Sequence, residues 1–218
     1  MDHITIKNLN IITSEIKLKQ KKTKIVAVTK TFPISSVIPL INFGHIHYGE
    51  NKVQEAIEKW TPIKNDFKHL KLHLIGKLQT NKVKFILPLF DYIHSLDNLK
   101  LAEKIALEQD KKKFRPKIFV QVNIGNEVQK SGVDLENLEN FLKLCNQKLD
   151  LDIIGLMCIP PNEDDTSKYF KKMSELNMEF GFNELSMGMS NDYSSAIDHG
   201  STYVRVGSKI FGERTIKS

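Results

Sequence analysis

The sequence predicts an α/β protein: a single (β/α)8 TIM barrel domain over residues 1–218, with an extra helix in 1–24 packing on it. Three observations carry this. Eight short apolar or β-branched stretches recur along the chain, each followed by a segment of helical character, which is the alternation of a parallel sheet. The first stretch, Ile25-Val26-Ala27-Val28, is apolar without interruption, as a strand covered on both faces should be. Polar and glycine residues gather just after the stretches, where a barrel has its mouth and its chemistry. An open doubly wound sheet is the alternative reading of the same alternation.

Taken in order, residues 4–20 place Leu9, Ile12 and Ile16 at three- and four-residue spacing, so one face of a helix is apolar. The first strand is 25–30, and Pro33 stops it. Ser35 and Ser36 can cap a short helix to about Asn42. Strand two is 46–48, and the helix over 50–60 should end ahead of Pro62. Strand three is 70–75, with a helix over 79–87 ended by Pro88. Strand four is 92–94 with a helix over 98–110; strand five is 117–122 with a helix over 134–148 that Asp134 can cap. Strand six is 151–157 with a helix over 165–180, strand seven 184–186 with a helix over 191–198, and strand eight 202–206. No Gly/Ser-rich linker and no sequence repeat divides the chain.

Composition narrows the class. With 40% hydrophobic and 27% charged residues, the 218-residue chain is ordinary for a soluble globular protein. Its longest apolar run, 153–161, is too short to span a bilayer. Met1-Asp2-His3-Ile4 does not open a signal peptide. Cys145 and Cys158 form no metal or redox motif. A reducing, cytoplasmic setting without a membrane partner is expected. The net charge of +6 invites a nucleic-acid reading, but only three of the 32 basic residues are arginine (Arg115, Arg205 and Arg214). The lysines are spread along the chain, with no basic stripe interleaved with aromatics, so no nucleic-acid partner is expected.

Chemistry is sought at the strand ends. Lys30 closes the first strand on the face of Val26 and Val28. A lysine losing solvation there becomes a nucleophilic amine suited to Schiff-base formation with an aldehyde, although a packed stem with a wet ammonium gives the same pattern. Barrels often bind phosphate with the loops after strands seven and eight. Here those loops hold Ser190, ahead of a helix whose free N–H groups favour an anion, and Gly207-Ser208. Arg205 shares the inner face of strand eight with Tyr203, so it needs a buried partner, either an acid such as Glu50 or a ligand acceptor. His45 and His47 are expected in packing or surface roles, and Gly76-Lys77 is not a P-loop.

Several motifs together resemble one family. They are Ala27-Val28-Thr29-Lys30-Thr31, Tyr48-Gly49-Glu50-Asn51-Lys52-Val53-Gln54-Glu55, His73-Leu74-Ile75-Gly76, Leu78-Gln79-Thr80-Asn81-Lys82, Val120-Gln121-Val122-Asn123-Ile124, Lys130-Ser131-Gly132 and Gly155-Leu156-Met157. Leu185-Ser186-Met187-Gly188-Met189-Ser190, Gly200-Ser201-Thr202 and Val204-Arg205-Val206-Gly207 complete the set. From about residue 25 to 214 the chain resembles the pyridoxal-phosphate homeostasis proteins, relatives of the alanine racemase N-terminal barrel. Tyr48 stands where phenylalanine is more common, and Lys77 where proline or histidine is.

The resemblance implies pyridoxal 5′-phosphate (PLP) held as a Schiff base on Lys30. It implies phosphate contacts from Ser190, Gly207 and Ser208, Arg205 facing the pyridine nitrogen, and Asn51 lining the pocket. Lys130 matches a second aldehyde-reactive lysine. Expected partners are PLP and PLP-dependent apo-enzymes, for a chain acting as a monomer. No metal and no catalytic residue is assigned. The alternative is an amino-acid racemase, but racemisation needs a second base, and in the related racemases that base comes from a further domain. The chain ends twelve residues after Val206, which is expected to leave no room for it. Arginine cannot pass a proton to the pyridine nitrogen, so the ring would be a weak electron sink. PLP homeostasis without turnover is therefore the expected function.

Overall fold

In a computed structural model, residues 3–127 and 129–213 are described; Arg214 and the far end of the resemblance lie outside them. Helix α1, Ile4–Leu18, precedes β1, Lys24–Val28. Then follow α2 Ile34–Asn42, β2 His47–Glu50, α3 Val53–Lys64, β3 Lys71–Leu74, α4 Val83–Ile86, β4 Tyr92–Leu96, α5 Leu99–Lys112 and β5 Lys117–Gln121. The chain continues with α6 Leu135–Lys143, β6 Ile153–Met157, α7 Ser167–Glu179, β7 Glu184–Met189, α8 Tyr193–Asp198, β8 Tyr203–Val206 and α9 Ser208–Phe211. Each strand pairs in parallel with the next, and β8 closes on β1 with Val26 opposite Arg205. The sheet is a closed barrel, which removes the doubly wound alternative.

Two apolar layers follow from strand alternation. The outer one, between strands and helices, takes Ala27, Val204 and Val206. The inner one is Val26, Tyr92, Phe119, Met157 and Tyr203. Arg205 and Tyr203 therefore point inward while the flanking valines meet the helices, as the alternation predicts. Helix α1 buries Leu9, Ile12 and Ile16, each worth roughly 1.5–3 kcal/mol relative to exposure. It lies against α2 and α9, and Asn8 Nδ2 donates to the Ile210 carbonyl at 3.0 Å.

Several boundaries differ from the sequence reading. Helix α3 does not stop before Pro62 but runs on to Lys64. Proline costs it one backbone bond, but both ends of the last turn are tied down. Trp60 is fully buried, and Lys64 Nζ reaches Asp91 Oδ2 at 2.7 Å and the Leu70 carbonyl at 3.0 Å. Ser35 and Ser36 lie inside α2, whose cap position is Pro33. Asp134 occupies the cap of α6 without a capping bond; its Oδ1 accepts from Asn123 Nδ2 at 3.4 Å. Asn98 does cap α5, accepting from Leu101 N at 2.9 Å. Strand β1 ends at Val28, so Lys30 belongs to the turn beyond it.

Candidate functional site

A cavity of about 750 Å³ opens at the C-terminal mouth, within the range of small-ligand sites. Lys30, Asn51, Ser190, Arg205, Gly207 and Ser208 all line it, as does Lys130. They come from five different strand ends, which only closure of the barrel brings together. Among the described residues, no group of three or more histidines, cysteines and acids could hold a metal.

Helix α3 grips the turn that carries Lys30 from both sides. Lys59 Nζ donates to the Thr29 carbonyl at 2.8 Å, and Glu55 Oε1 accepts from Thr31 N at 2.6 Å. Thr31 sits at φ 69°, a left-handed conformation that needs such support in a β-branched residue. Behind the turn, Glu50 Oε1 accepts from Thr29 Oγ1 at 2.6 Å, Lys59 Nζ at 2.8 Å and Trp60 Nε1 at 2.9 Å. The sequence reading missed Lys59 and Trp60 as parts of the site. The available signal was the i,i+4 spacing of Glu55 and Lys59, which puts both on one helix face.

The neighbouring loops add wall built from backbone. A Cβ on Gly76 would stand 2.2 Å from the Asn51 carbonyl oxygen, so only glycine lets the loop after β3 pack on Asn51. Asn51 Oδ1 is a buried acceptor with no hydrogen-bond partner. Gly207 N donates to Ser190 Oγ at 3.3 Å, joining the loops after β7 and β8. Ser190 does not stand directly ahead of a helix as the sequence reading had it. Strand β7 runs on to Met189, and Asp192 takes the cap position of α8 while its Oδ1 accepts from Met189 N at 2.6 Å. Gly188, at φ 88°, makes this close turn: a Cβ there would come within 2.5 Å of Ala196 Cβ. Of the two departures, Tyr48 is buried and donates its hydroxyl to the His45 carbonyl at 3.0 Å, and Lys77 is exposed; neither lines the cavity.

Arg205 is only 4% exposed. Its Nη1 donates to Ser186 Oγ at 2.6 Å and its Nη2 to the Cys158 carbonyl at 2.9 Å. Glu50 is not its partner: that carboxylate accepts instead from Thr29, Lys59 and Trp60, between β2 and α3. Burial lowers the Arg205 pKa, but guanidinium has enough margin to stay charged. Beneath Arg205 lies a feature absent from the sequence reading. Ser186 Oγ is 2.9 Å from His94 Nδ1, His94 Nε2 is 2.9 Å from His73 Nδ1, and His73 Nε2 is 2.9 Å from His47 Nδ1. His47 is therefore no mere packing or surface residue. His45 stays outside this chain, its Nε2 2.9 Å from the His47 carbonyl oxygen.

The family model for the alanine racemase N-terminal domain matches residues 6–215. The pyridoxal phosphate homeostasis protein of Aquifex aeolicus is 38% identical over 200 residues, covering 88% of this chain and 87% of that one. The protein of the same name from Haemophilus influenzae is 35% identical, covering 95% and 94%. Among solved structures, PipY of Synechococcus elongatus with PLP bound superposes with a TM-score of 0.87 at 32% identity, covering 96% of this chain and 100% of that one. An alanine racemase from Clostridium difficile shares the fold, with a TM-score of 0.75 at 16% identity over 98% of this chain and 57% of that one.

Proposed function

Since the chain belongs to the pyridoxal phosphate homeostasis protein family, we propose that it holds PLP as a Schiff base on Lys30 and buffers or delivers the cofactor without substrate turnover. The observation that carries this reading is convergence: an amine, an orphaned buried acceptor, an anion-suited pair of loops and a charged guanidinium line one cavity. The residues fit the group. Lys30 supplies the amine, on a turn clamped by Glu55 and Lys59. Asn51 Oδ1 offers its acceptor to a donor on the ligand. Ser190, Gly207 and Ser208 meet the phosphate. Arg205 faces the pyridine nitrogen and, never losing its proton, keeps that nitrogen unprotonated. Bound PLP supplies the aldehyde and an electron-withdrawing ring. An arginine in place of an acid opposite the nitrogen weakens that ring as an electron sink, which supports storage over catalysis. PLP-dependent apo-enzymes are the natural recipients, reached from a cytoplasmic monomer. No helix among the described residues is long and apolar enough to cross a membrane.

The test is direct. PLP is added, the adduct is reduced with borohydride, and the modified lysine is mapped by mass spectrometry. The label should fall on the Lys30 peptide, and pyridoxal, which lacks the phosphate, should label far less at equal concentration. Label confined to surface lysines such as Lys111, Lys112 and Lys113, or a visible band unchanged in Lys30→Ala, refutes the proposal. Racemisation of alanine above the Lys30→Ala background would refute its carrier half. Arg205→Gln, in a protein shown to be folded by circular dichroism, should weaken PLP binding by about 1.5–3 kcal/mol, roughly ten- to a hundredfold, through loss of one charged hydrogen bond. Unchanged affinity and spectrum would remove Arg205 from the site.

A further inference from the structure

The hydrogen-bonded row beneath Arg205 climbs the barrel interior from floor to mouth. His47 is the first residue of β2, while His73, His94, Ser186 and Arg205 are each the third residue of β3, β4, β7 and β8. His73, His94 and Ser186 are fully buried, and only His47 reaches partial exposure. Aromatic walls fix the rings: His73 stacks on Tyr92 with centroids 4.2 Å apart and planes 9° apart, and His94 lies 4.4 Å from Phe119.

Proton counting gives the row a direction. Guanidinium only donates, so Ser186 Oγ accepts from Arg205 and turns its own hydrogen to His94 Nδ1. A neutral His94 that accepts at Nδ1 carries its hydrogen on Nε2 and donates to His73 Nδ1. By the same reasoning His73 donates from Nε2 to His47 Nδ1, and His47 carries its hydrogen on Nε2. Every link is then filled with no group charged except Arg205. In the reverse polarity Ser186 Oγ would accept from both Arg205 and His94, and its own hydrogen would have no acceptor among the hydrogen bonds of the described residues. Neutrality also agrees with burial, which lowers the pKa of His73 and His94 well below 6.5 and that of His47 to about 4. The charged groups facing the row are Lys24 on β1, Lys71 on β3, Asp91 ahead of β4 and Arg205 itself.

We infer that His47, His73, His94 and Ser186 form a tautomer-locked array of positioning residues that fixes the Arg205 guanidinium without neutralising it. An acid in the position of Ser186 would orient the guanidinium equally well but cancel its charge. A neutral hydroxyl backed by imidazoles orients it and leaves the full charge for the ligand. In the PLP reading, on which this role rests, that charge is what meets the ring nitrogen.

Nitrogen NMR of the imidazoles, in protein without cofactor at pH 7, tests the array by itself. His47, His73 and His94 should each show the neutral Nε2–H pattern. An imidazolium, or the Nδ1–H tautomer, at His73 or His94 overturns the inference. The functional arm uses three variants, each checked for folding by circular dichroism. Ser186→Ala removes one acceptor of Arg205 and should weaken PLP binding about tenfold and shift the visible band. His94→Gln keeps a group near Nε2 and should lose about as much. His94→Asn keeps one near Nδ1, still faces Ser186, and should retain most of the affinity. Folded Ser186→Ala with wild-type affinity and spectrum, alongside a weakened Arg205→Gln, would show that Arg205 holds its place unaided and overturn the array. Absence of PLP on Lys30 in the wild type would instead refute the preceding proposal, and the imidazole pattern would still decide this one.

Discussion

Lowering the pH from 7 to 5 should remove up to about 4 kcal/mol of folding stability through His73 and His94 alone. Both are fully buried, and burial holds their folded pKa values well below the ordinary 6.5. Unfolded, each takes a proton near pH 6.5; folded, each stays neutral far below it. Between those values the unfolded chain binds more protons, so stability is complete above about pH 6.5 and is lost as the pH falls. Each group contributes about 1.4 kcal/mol per pH unit across that window. His45 and His47, both lowered to about 4, act in the same direction, each discounted for its partial exposure. The total compares with a whole-domain margin of about 5–15 kcal/mol. Urea unfolding at pH 7, 6 and 5 measures it, and His94→Gln should reduce the slope by about one proton. A midpoint that does not move over this range would mean that the imidazoles are charged or solvated in the folded state.

The contrast between what the sequence revealed and what it concealed has a physical source. Strand alternation reads directly from local composition, so eight strands, the inward Arg205 and the apolar stripe Leu9, Ile12, Ile16 were all legible. The mouth was legible because chemistry in a barrel lies at strand ends, so six residues named from the sequence line one cavity. Ends of elements were less legible, since tertiary ties override local rules. Pro62 sits inside α3 because Trp60 and Lys64 anchor the last turn, and Ser190 stands short of the helix because β7 continues to Met189 and α8 begins only at Tyr193. The histidine row was illegible altogether. Its members lie 26, 21 and 92 residues apart, and only barrel closure with the observed register sets them on one interior path. Glu50 was legible in part. Its helix-facing partners Lys59 and Trp60 could be guessed from spacing, but not its burial.

That burial gives the other large effect. Lys59→Met should destabilise the fold by about 3–5 kcal/mol, the range for removing one partner of a buried ion pair. The two side chains are 8% and 0% exposed and their atoms 2.8 Å apart, so solvent does little to screen the loss. Methionine keeps the hydrocarbon stem of lysine and therefore most of its packing. What disappears is the ammonium that joins Glu50 to the Thr29 carbonyl. Glu50 would retain only the Thr29 hydroxyl and Trp60 N–H on Oε1, with Oε2 already unpartnered. The damage should also reach the site, because Thr29 is the residue before Lys30. Borohydride trapping of PLP on Lys30 should slow in Lys59→Met under conditions where the variant remains folded. Lys59→Met combined with Glu50→Gln separates charge from shape. Glutamine still accepts from Trp60 and Thr29 but needs no counter-ion, so the double variant should regain most of the lost stability. Trapping should stay slow, since the Thr29 carbonyl still lacks its donor. Thermal or urea denaturation of the two variants measures the first claim. A loss below about 1 kcal/mol in Lys59→Met, as for an exposed pair, would show that Glu50 does not depend on Lys59 and that the turn carrying Lys30 is held by Glu55 alone.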